Sequence, residues 1–319
     1  LTPEHPRNTE EHGDEQCRTE RAGQESPSPN PPGEPAHRAR FWLTRGHPFS
    51  RRSPRVFIAS MNSVPPNRLV EIALDVAREA AKGLLAGYRS RPSATEKARS
   101  DLVTEFDVRS EILIRERLAR ETPSIPIVAE EQGGTANGLT WYCDPLDGTM
   151  NFVHGHPFFC VAIGAMDGLV PVVGAVVAPV LGVEWWGGPG VGAFRSGAPC
   201  RVSDTETLTN ALLATGFPPD RSKAPENNLP AFALVQNHAQ GIRRDGSAAL
   251  DCCFVADGTF DGYWERRLHA WDVVAGCAVA LAAGARLTSM NGGPADLTTG
   301  HIALTNGKIH EALVALLRD

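Results

Sequence analysis

From Asn67 onward, apolar side chains recur at helical spacing: Leu69, Ile72, Ala73, Val76, Ala80 and Leu84. That spacing gathers them on one face of an amphipathic helix, and Pro65-Pro66 just before it suits a helix start. The pattern predicts a second helix over about 107–120, with Ile112, Leu113 and Leu118 turned inward. Ile125-Pro126-Ile127-Val128 then reads as a short strand that delivers Glu130-Glu131 to a Gly133-Gly134 loop. Trp141-Tyr142-Cys143 reads as another strand, ending in Asp144-Pro145. Between 158 and 200 the residues become β-branched and aromatic, with turn signals at Asp167-Gly168 and Ser196-Gly197, and predict an antiparallel meander. The last third alternates short strands with helices at about 247–257 and 271–283, and closes with a helix near 310–317. Strands and helices mixed in this way predict layered α/β packing.

Residues 1–60 break the pattern. They carry nine of the 25 prolines, no lysine, nine arginines, eight acidic residues and no sustained period. Such a segment buries too little apolar surface to offset its ordering entropy, so it is expected to be a disordered extension preceding one domain over 61–319. Met61, directly before the first helical pattern, is expected to be the natural start. Arg51-Arg52 resembles the opening of a twin-arginine signal, but the residues after it are too few and too proline-broken for an apolar core. No stretch reaches 18 consecutive apolar residues. Seven cysteines in apolar or small-residue surroundings, with no CxxC, read as buried thiols of a reducing compartment, so a cytoplasmic location is expected. A net charge of −6 gives no basic footprint for nucleic acid.

Acidic residues cluster at element ends: Asp101 with Asp107, Glu130 with Glu131, Asp144 with Asp147, and Asp272. Singly, each reads as a cap or a solvated turn. The run Asp144-Pro145-Leu146-Asp147-Gly148-Thr149-Met150-Asn151-Phe152 carries more. Pro145 stiffens the turn, Gly148 lets the backbone pass close to a ligand, and a helix opening at Thr149 offers free N–H groups to a phosphate. Massed carboxylates repel unless a cation neutralises them, and an all-oxygen donor set suits Mg²⁺.

This run resembles the signature of the inositol monophosphatase family, within the lithium-sensitive sugar-phosphatase superfamily. Further family elements follow in register: Lys97-x3-Asp101-Leu-Val-Thr104-x2-Asp107, Val128-Ala-Glu130-Glu131, Ile242-Arg243-Arg244-Asp245-Gly246-Ser247-Ala248-Ala249, and Glu265-x3-His269-Ala-Trp271-Asp272. The resemblance implies an α-β-α-β-α sandwich of the inositol monophosphatase and fructose-1,6-bisphosphatase type. It also implies hydrolysis of a small sugar or polyol phosphate, first of all inositol 1-phosphate, with two to three Mg²⁺ ions and Mn²⁺ as the alternative. Glu130, Asp144, Asp147, Asp272 and the Leu146 carbonyl would be the metal ligands. Thr149, positioned by Asp107, would orient the attacking water, and Lys97 would lie at the rim. Asp147 and the Gly148 and Thr149 amides would face the phosphate, while Glu265, Gly246, Ser247 and Ala248 would line the substrate side. A homodimer and inhibition by lithium are implied in the same way.

Other eye-catching residues receive blander readings: His154 and His156 as surface or capping histidines, Trp185-Trp186 and Trp264 as packing, Cys252-Cys253 as helix-buried small hydrophobes, and Arg243-Arg244 as a solvated face. Rival substrates within the same chemistry are histidinol phosphate, fructose 1,6-bisphosphate and 3′-phosphoadenosine nucleotides. A non-enzymatic regulatory partner is the alternative from a different class.

Overall fold

The first helix, α1 (Pro66–Gly87), buries its whole expected stripe, with Leu69, Ile72, Ala73, Val76, Ala80 and Leu84 at most 4% exposed. The structure is a computed structural model that describes residues 64–98, 101–219, 222–223 and 226–318. The expectations for 1–60 and Met61, and any role for the Asp101 side chain, lie outside the described residues. Strands β1 (Ala94–Ala98) and β2 (Asp101–Thr104) form an antiparallel ribbon that leads into α2 (Glu105–Glu121).

Helix α2 corrects the expected orientation. Its buried stripe is Asp107, Glu111, Ile114 and Leu118, whereas Ile112 is 45% exposed. Leu118 is buried and Leu113 packs partly buried against the core, as expected, but two carboxylates occupy the inward face, so hydrophobicity alone turns the helix by about one position. Thr104 caps it, accepting from the Phe106 amide at 3.1 Å.

Next come β3 (Ile127–Ala129), β4 (Leu139–Asp147) and the short helix α3 (Thr149–His154). The meander follows as β5 (Cys160–Asp167), β6 (Val170–Ala178), β7 (Val183–Gly188), β8 (Gly192–Arg195) and β9 (Ala198–Pro199). Strands β3 to β9 make a seven-stranded sheet in chain order, parallel only between β3 and β4. The chain then adds β10 (Leu212–Thr215), α4 (Leu229–Gln236), β11 (Gly241–Arg243), α5 (Ala248–Ala256), β12 (Gly262–Glu265) and α6 (Ala270–Ala282). It ends with β13 (Arg286–Thr288), β14 (Ile302–Thr305) and α7 (His310–Leu317). These strands form a mixed five-stranded sheet of order β11-β10-β12-β14-β13.

Among the described residues, three cores define the layers. Alternate residues of β5, Val161, Ile163 and Ala165, pack under α1 and α2, while Cys160, Ala162 and Met166 pack against α5 and α6. With both faces covered, the strands read as continuous apolar runs. Helices α5 and α6 also pack against the inner face of the second sheet through Tyr263, Ile302 and Leu304, while α4 and α7 cover its outer face. The result is the expected α-β-α-β-α sandwich. Close approach in the middle requires glycine: a Cβ at Gly174 would stand 2.0 Å from the Ala275 carbonyl oxygen of α6. This contact sets α6, and with it Asp272, against the sheet that carries Asp144 and Asp147.

Fully buried His310 bridges the second sheet to α7. Thr288 donates to the Ser289 carbonyl at 2.8 Å and so accepts from Nε2 at 2.9 Å, while Thr305 accepts from the Gly307 amide and donates to Nδ1 at 2.9 Å. Burial, then Arg286, lowers the imidazole to about 4 against a partial pull from Glu311. A base depressed in the fold makes the unfolded chain bind more protons below its ordinary value near 6.5, so this contribution is complete above that pH and is lost as pH falls through about 4. Stability should therefore drop by about 3 kcal/mol from this residue across that window. In His310→Gln, which keeps a donor and an acceptor but does not titrate, the melting temperature should lose that part of its slope between pH 6.5 and 4.

Candidate active site

Strand β4 does not stop at Cys143, as expected, but runs through the acidic motif to Asp147. Its pairing with β5 slips there: Asp144 faces Ala162 and Asp147 faces Cys160, so three steps on β4 oppose two on β5. Such a bulge beside a site re-aims side chains, and here it lets Pro145 sit within a buried strand. Both carboxylates line one cleft, together with Glu130 from the loop after β3, Asp272 from the first turn of α6, and Leu146. The cleft has a cavity volume of about 220 Å³, and Gly148, Thr149, Gly246, Ser247, Ala248 and Glu265 also line it. The two remaining expected residues, Asp107 and Lys97, do not line the cleft but bond side chains that do, Thr149 and Glu130.

Each acidic group is anchored by one oxygen. The Leu146 amide donates to Asp144 Oδ1 at 2.9 Å, and the His269 amide donates to Asp272 Oδ2 at 2.7 Å. Asp147 Oδ2 accepts from Ser247 Oγ at 2.7 Å and from the Ala249 amide at 2.8 Å, so the start of α5 is bound to the acidic motif. Burial, then the charges of Glu130, Asp147 and Asp272, pushes Asp144 well above the usual carboxylate range. Asp272 is pushed up by burial and by Asp147, Glu130 and Glu265, and burial raises Asp147 to about 6. Among the described residues no base forms an ion pair with Asp144, Asp147 or Asp272. Nor do three such side chains already enclose a point where an ion would fit, as expected of like charges turned toward local N–H groups.

Lys97 of β1 bonds Glu130 and Glu131, each at 2.8 Å. Burial raises Glu130 to about 7 against the pull of Lys97. Glu131, left open between a supporting and an exposed place, is mostly buried and takes the supporting one. Its loop is held by a residue that sequence reasoning passed over: Glu111 accepts from the Glu131 amide at 2.7 Å and the Gln132 amide at 2.9 Å, and pairs with Arg115.

Asp107 ties α2 to the motif. Its Oδ2 accepts from the Thr104 amide at 2.8 Å and the Thr104 hydroxyl at 2.6 Å, and its Oδ1 accepts from the Thr149 hydroxyl at 2.8 Å. Gly148, at φ 98°, makes the turn into α3, where a Cβ would meet the Phe158 carbonyl oxygen at 3.0 Å. Asn151 donates to the Phe158 and Asp245 carbonyls at 2.7 and 2.8 Å, joining α3 to the loop that presents Gly246. Glu265 accepts from Tyr263 at 2.6 Å, and burial raises it to about 7. Arg244, expected on a solvated face, is exposed and also lines the cleft, as does Asp251, which sequence reasoning did not single out.

The remaining readings resolve as packing. Trp185 is buried with its N–H on Asp257 at 2.9 Å, Trp264 donates to Asn228 at 3.0 Å, and Cys252 and Cys253 are buried free thiols. His154 and His156 are exposed. No helix among the described residues is long and apolar enough to cross a membrane.

Comparison with known proteins converges on one family. The model of the inositol monophosphatase family matches residues 66–319. An inositol-1-monophosphatase from Synechocystis is 40% identical over 248 residues, covering 76% of this chain and 86% of that protein. A Nus factor SuhB from Pasteurella multocida is 36% identical over 252 residues, covering 76% and 93%. The solved inositol monophosphatase from Anabaena superposes with a TM-score of 0.72 at 38% identity, covering 79% of this chain and 95% of its own. A sandwich of this order, an acidic cleft at its bulged strand and a sequence match spanning the whole described region establish a phosphomonoester hydrolase that belongs to the inositol monophosphatase family.

Proposed function

We propose that this chain hydrolyses inositol 1-phosphate, or a closely similar polyol phosphate, at a Mg²⁺ site made by Glu130, Asp144, Asp147, Asp272 and the Leu146 carbonyl. The observation that carries this reading is the set of carboxylates brought to one cleft from separate elements, Asp144 and Asp147 buried and Glu130 and Asp272 half-buried, repelling one another with no base paired to Asp144, Asp147 or Asp272 among the described residues. All donors are hard oxygens, which fits Mg²⁺ in preference to softer metals, with Mn²⁺ as the alternative. Two to three such ions, when bound, would supply Lewis acidity and neutralise charge on the phosphoryl oxygens.

The chain's own groups do the rest. The Thr149 hydroxyl donates to Asp107 and so presents its lone pairs, which can accept from a water and fix that water's position. Gly148 and Thr149 offer backbone N–H groups to the phosphate. The water oxygen bonds phosphorus while the bond to the polyol oxygen breaks; the polyol takes up the proton the water gives, and inorganic phosphate leaves. No phosphoenzyme is required. Cys160, 3.8 Å from Asp147, is a thiol pushed well up by burial and by that carboxylate, and so is a poor nucleophile. Lys97 holds Glu130 by a 2.8 Å bond and favours its charged form against burial, and Glu265, Gly246, Ser247 and Ala248 face the polyol.

Phosphate release tests this directly. Inositol 1-phosphate should give the highest kcat/KM in a panel with histidinol phosphate, fructose 1,6-bisphosphate and a 3′-phosphoadenosine nucleotide. EDTA should abolish turnover, Mg²⁺ should restore it, and lithium should inhibit it. A preference for histidinol phosphate would move the substrate, and turnover indifferent to EDTA would remove the metal. A relative named a fructose-1,6-bisphosphatase/inositol-1-monophosphatase, from Aquifex aeolicus and 36% identical over 222 residues, keeps the bisphosphate in that panel.

The relative named as a Nus factor favours a second reading, in which the chain also acts as a binding partner. That role predicts complex formation that survives loss of Asp144. The homodimer expected from the resemblance belongs to the same reading, and sedimentation of the purified chain measures it.

A further inference from the structure

Helix α5 presents Gly246, Ser247 and Ala248 to the cleft at its start, and one turn further on it presents Asp251. The other residues of that turn, Leu250, Cys252 and Cys253, are fully buried and apolar. Asp251 is 1% exposed, and its Oδ1 has no hydrogen-bond partner in the structure. A buried acceptor left unmade is costly, and native proteins keep few of them. Burial, then Asp245, Glu265 and Asp147, raises this carboxyl well above the usual range, against a partial pull from Arg244. An acidic side chain in the first turn of α5 suits the helix dipole, but that does not require a fully buried oxygen left without a partner, and a leucine would pack more cheaply among these neighbours.

We propose that Asp251 is a substrate-binding residue, whose carboxyl takes a hydrogen bond from a ring hydroxyl of the leaving polyol. This rests on the polyol-phosphate reading and adds to it the group that distinguishes a polyhydroxylated alcohol from a plain one. The class of ligand follows from the charges nearby. Asp147, Glu265 and Asp245 repel a second anionic group beside Asp251. Arg244, which lines the cleft and acts on Asp251 against these carboxylates, disfavours a cationic amine there. A neutral hydroxyl donor suits both. Glu265 already accepts from one hydroxyl, that of Tyr263, and Asp251 extends the same chemistry along the wall.

The test compares wild type with Asp251→Leu and Asp251→Asn under Mg²⁺, following hydrolysis of inositol 1-phosphate and competitive inhibition by inorganic phosphate, which carries no polyol. In Asp251→Leu the KM for inositol 1-phosphate should rise about tenfold, as for one lost hydrogen bond, with kcat within about twofold. The inhibition constant of phosphate should not move, and the melting temperature should rise because an orphaned polar group is gone. Asp251→Asn, which keeps an acceptor, should fall between. KM and the inhibition constant do not depend on the amount of folded enzyme, so a poorly folding variant still reports through them. A KM within twofold of wild type, or a KM and a phosphate inhibition constant that rise together, overturns the proposal while leaving the function standing. A wild type that does not turn over inositol 1-phosphate overturns both.

Discussion

Asp144→Asn should lower kcat for phosphomonoester hydrolysis about a thousandfold or more, the scale seen when a preorganised electrostatic group is removed from an active site. The substitution is nearly isosteric, and an asparagine Oδ1 can still accept from the Leu146 amide that holds Asp144 at 2.9 Å. The bulge should therefore survive while the anionic donor is lost. Stability should move the other way. In the metal-free protein Asp144 is buried beside Glu130, Asp147 and Asp272, all of which oppose its ionisation. Removing one member of a crowded set of like charges relieves both repulsion and desolvation, so metal-free Asp144→Asn should melt above metal-free wild type. With Mg²⁺ added, wild type should gain melting temperature by mass action and the variant should gain much less. Initial rates in Mg²⁺ and thermal melts with EDTA or Mg²⁺ give all these comparisons. A variant that keeps activity within tenfold of wild type would remove Asp144 from the metal set.

The parts of this molecule legible in the sequence are those where local chemistry and global packing agree. The α1 stripe and the β5–β9 meander obey simple periods, and both form where the pattern puts them. The acidic motif was legible because aspartate, proline and glycine together constrain the backbone whatever surrounds them. What misled was polarity on an inward face. Glu111 and Asp107 both point into the fold from α2, so a count of apolar residues turns that helix outward by about one position and hides the residue that holds the Glu130 loop. The same blindness concealed Asp251, one carboxylate in an otherwise apolar turn. An acidic residue in the apolar turn of a helix that reads as buried is the signal that could have revealed Asp251, whereas Glu111 reads from sequence as a surface pair with Arg115 four residues on. The extension of β4 through Pro145 was hidden for a different reason: a strand is expected to end at proline, and only the pairing with β5 shows a bulge instead.

Thr149→Val should lower kcat by about a hundredfold with KM within about threefold, because the hydroxyl is used to orient water and not to hold substrate. Asp107→Asn should reproduce that loss without touching the cleft, and the reason lies in its hydrogen bonds. Asp107 accepts from three donors: the Thr104 amide and hydroxyl on one oxygen, and the Thr149 hydroxyl on the other. An asparagine has one acceptor face and one donor face. The buried Thr104 amide must stay satisfied, so the acceptor should turn to Thr104 and the NH₂ to Thr149. Thr149 then accepts from the introduced side-chain amide, its own proton must point elsewhere, and the lone pairs that should face the water are taken. Because both substitutions remove one function, the double variant should lose little more than either single one, a coupling close to the full single effect. Rates of the two single variants and the double variant, with melts to show that each is folded, complete the cycle. Independent losses that multiply would mean that Asp107 merely supports the start of α2, and that Thr149 orients its water without help.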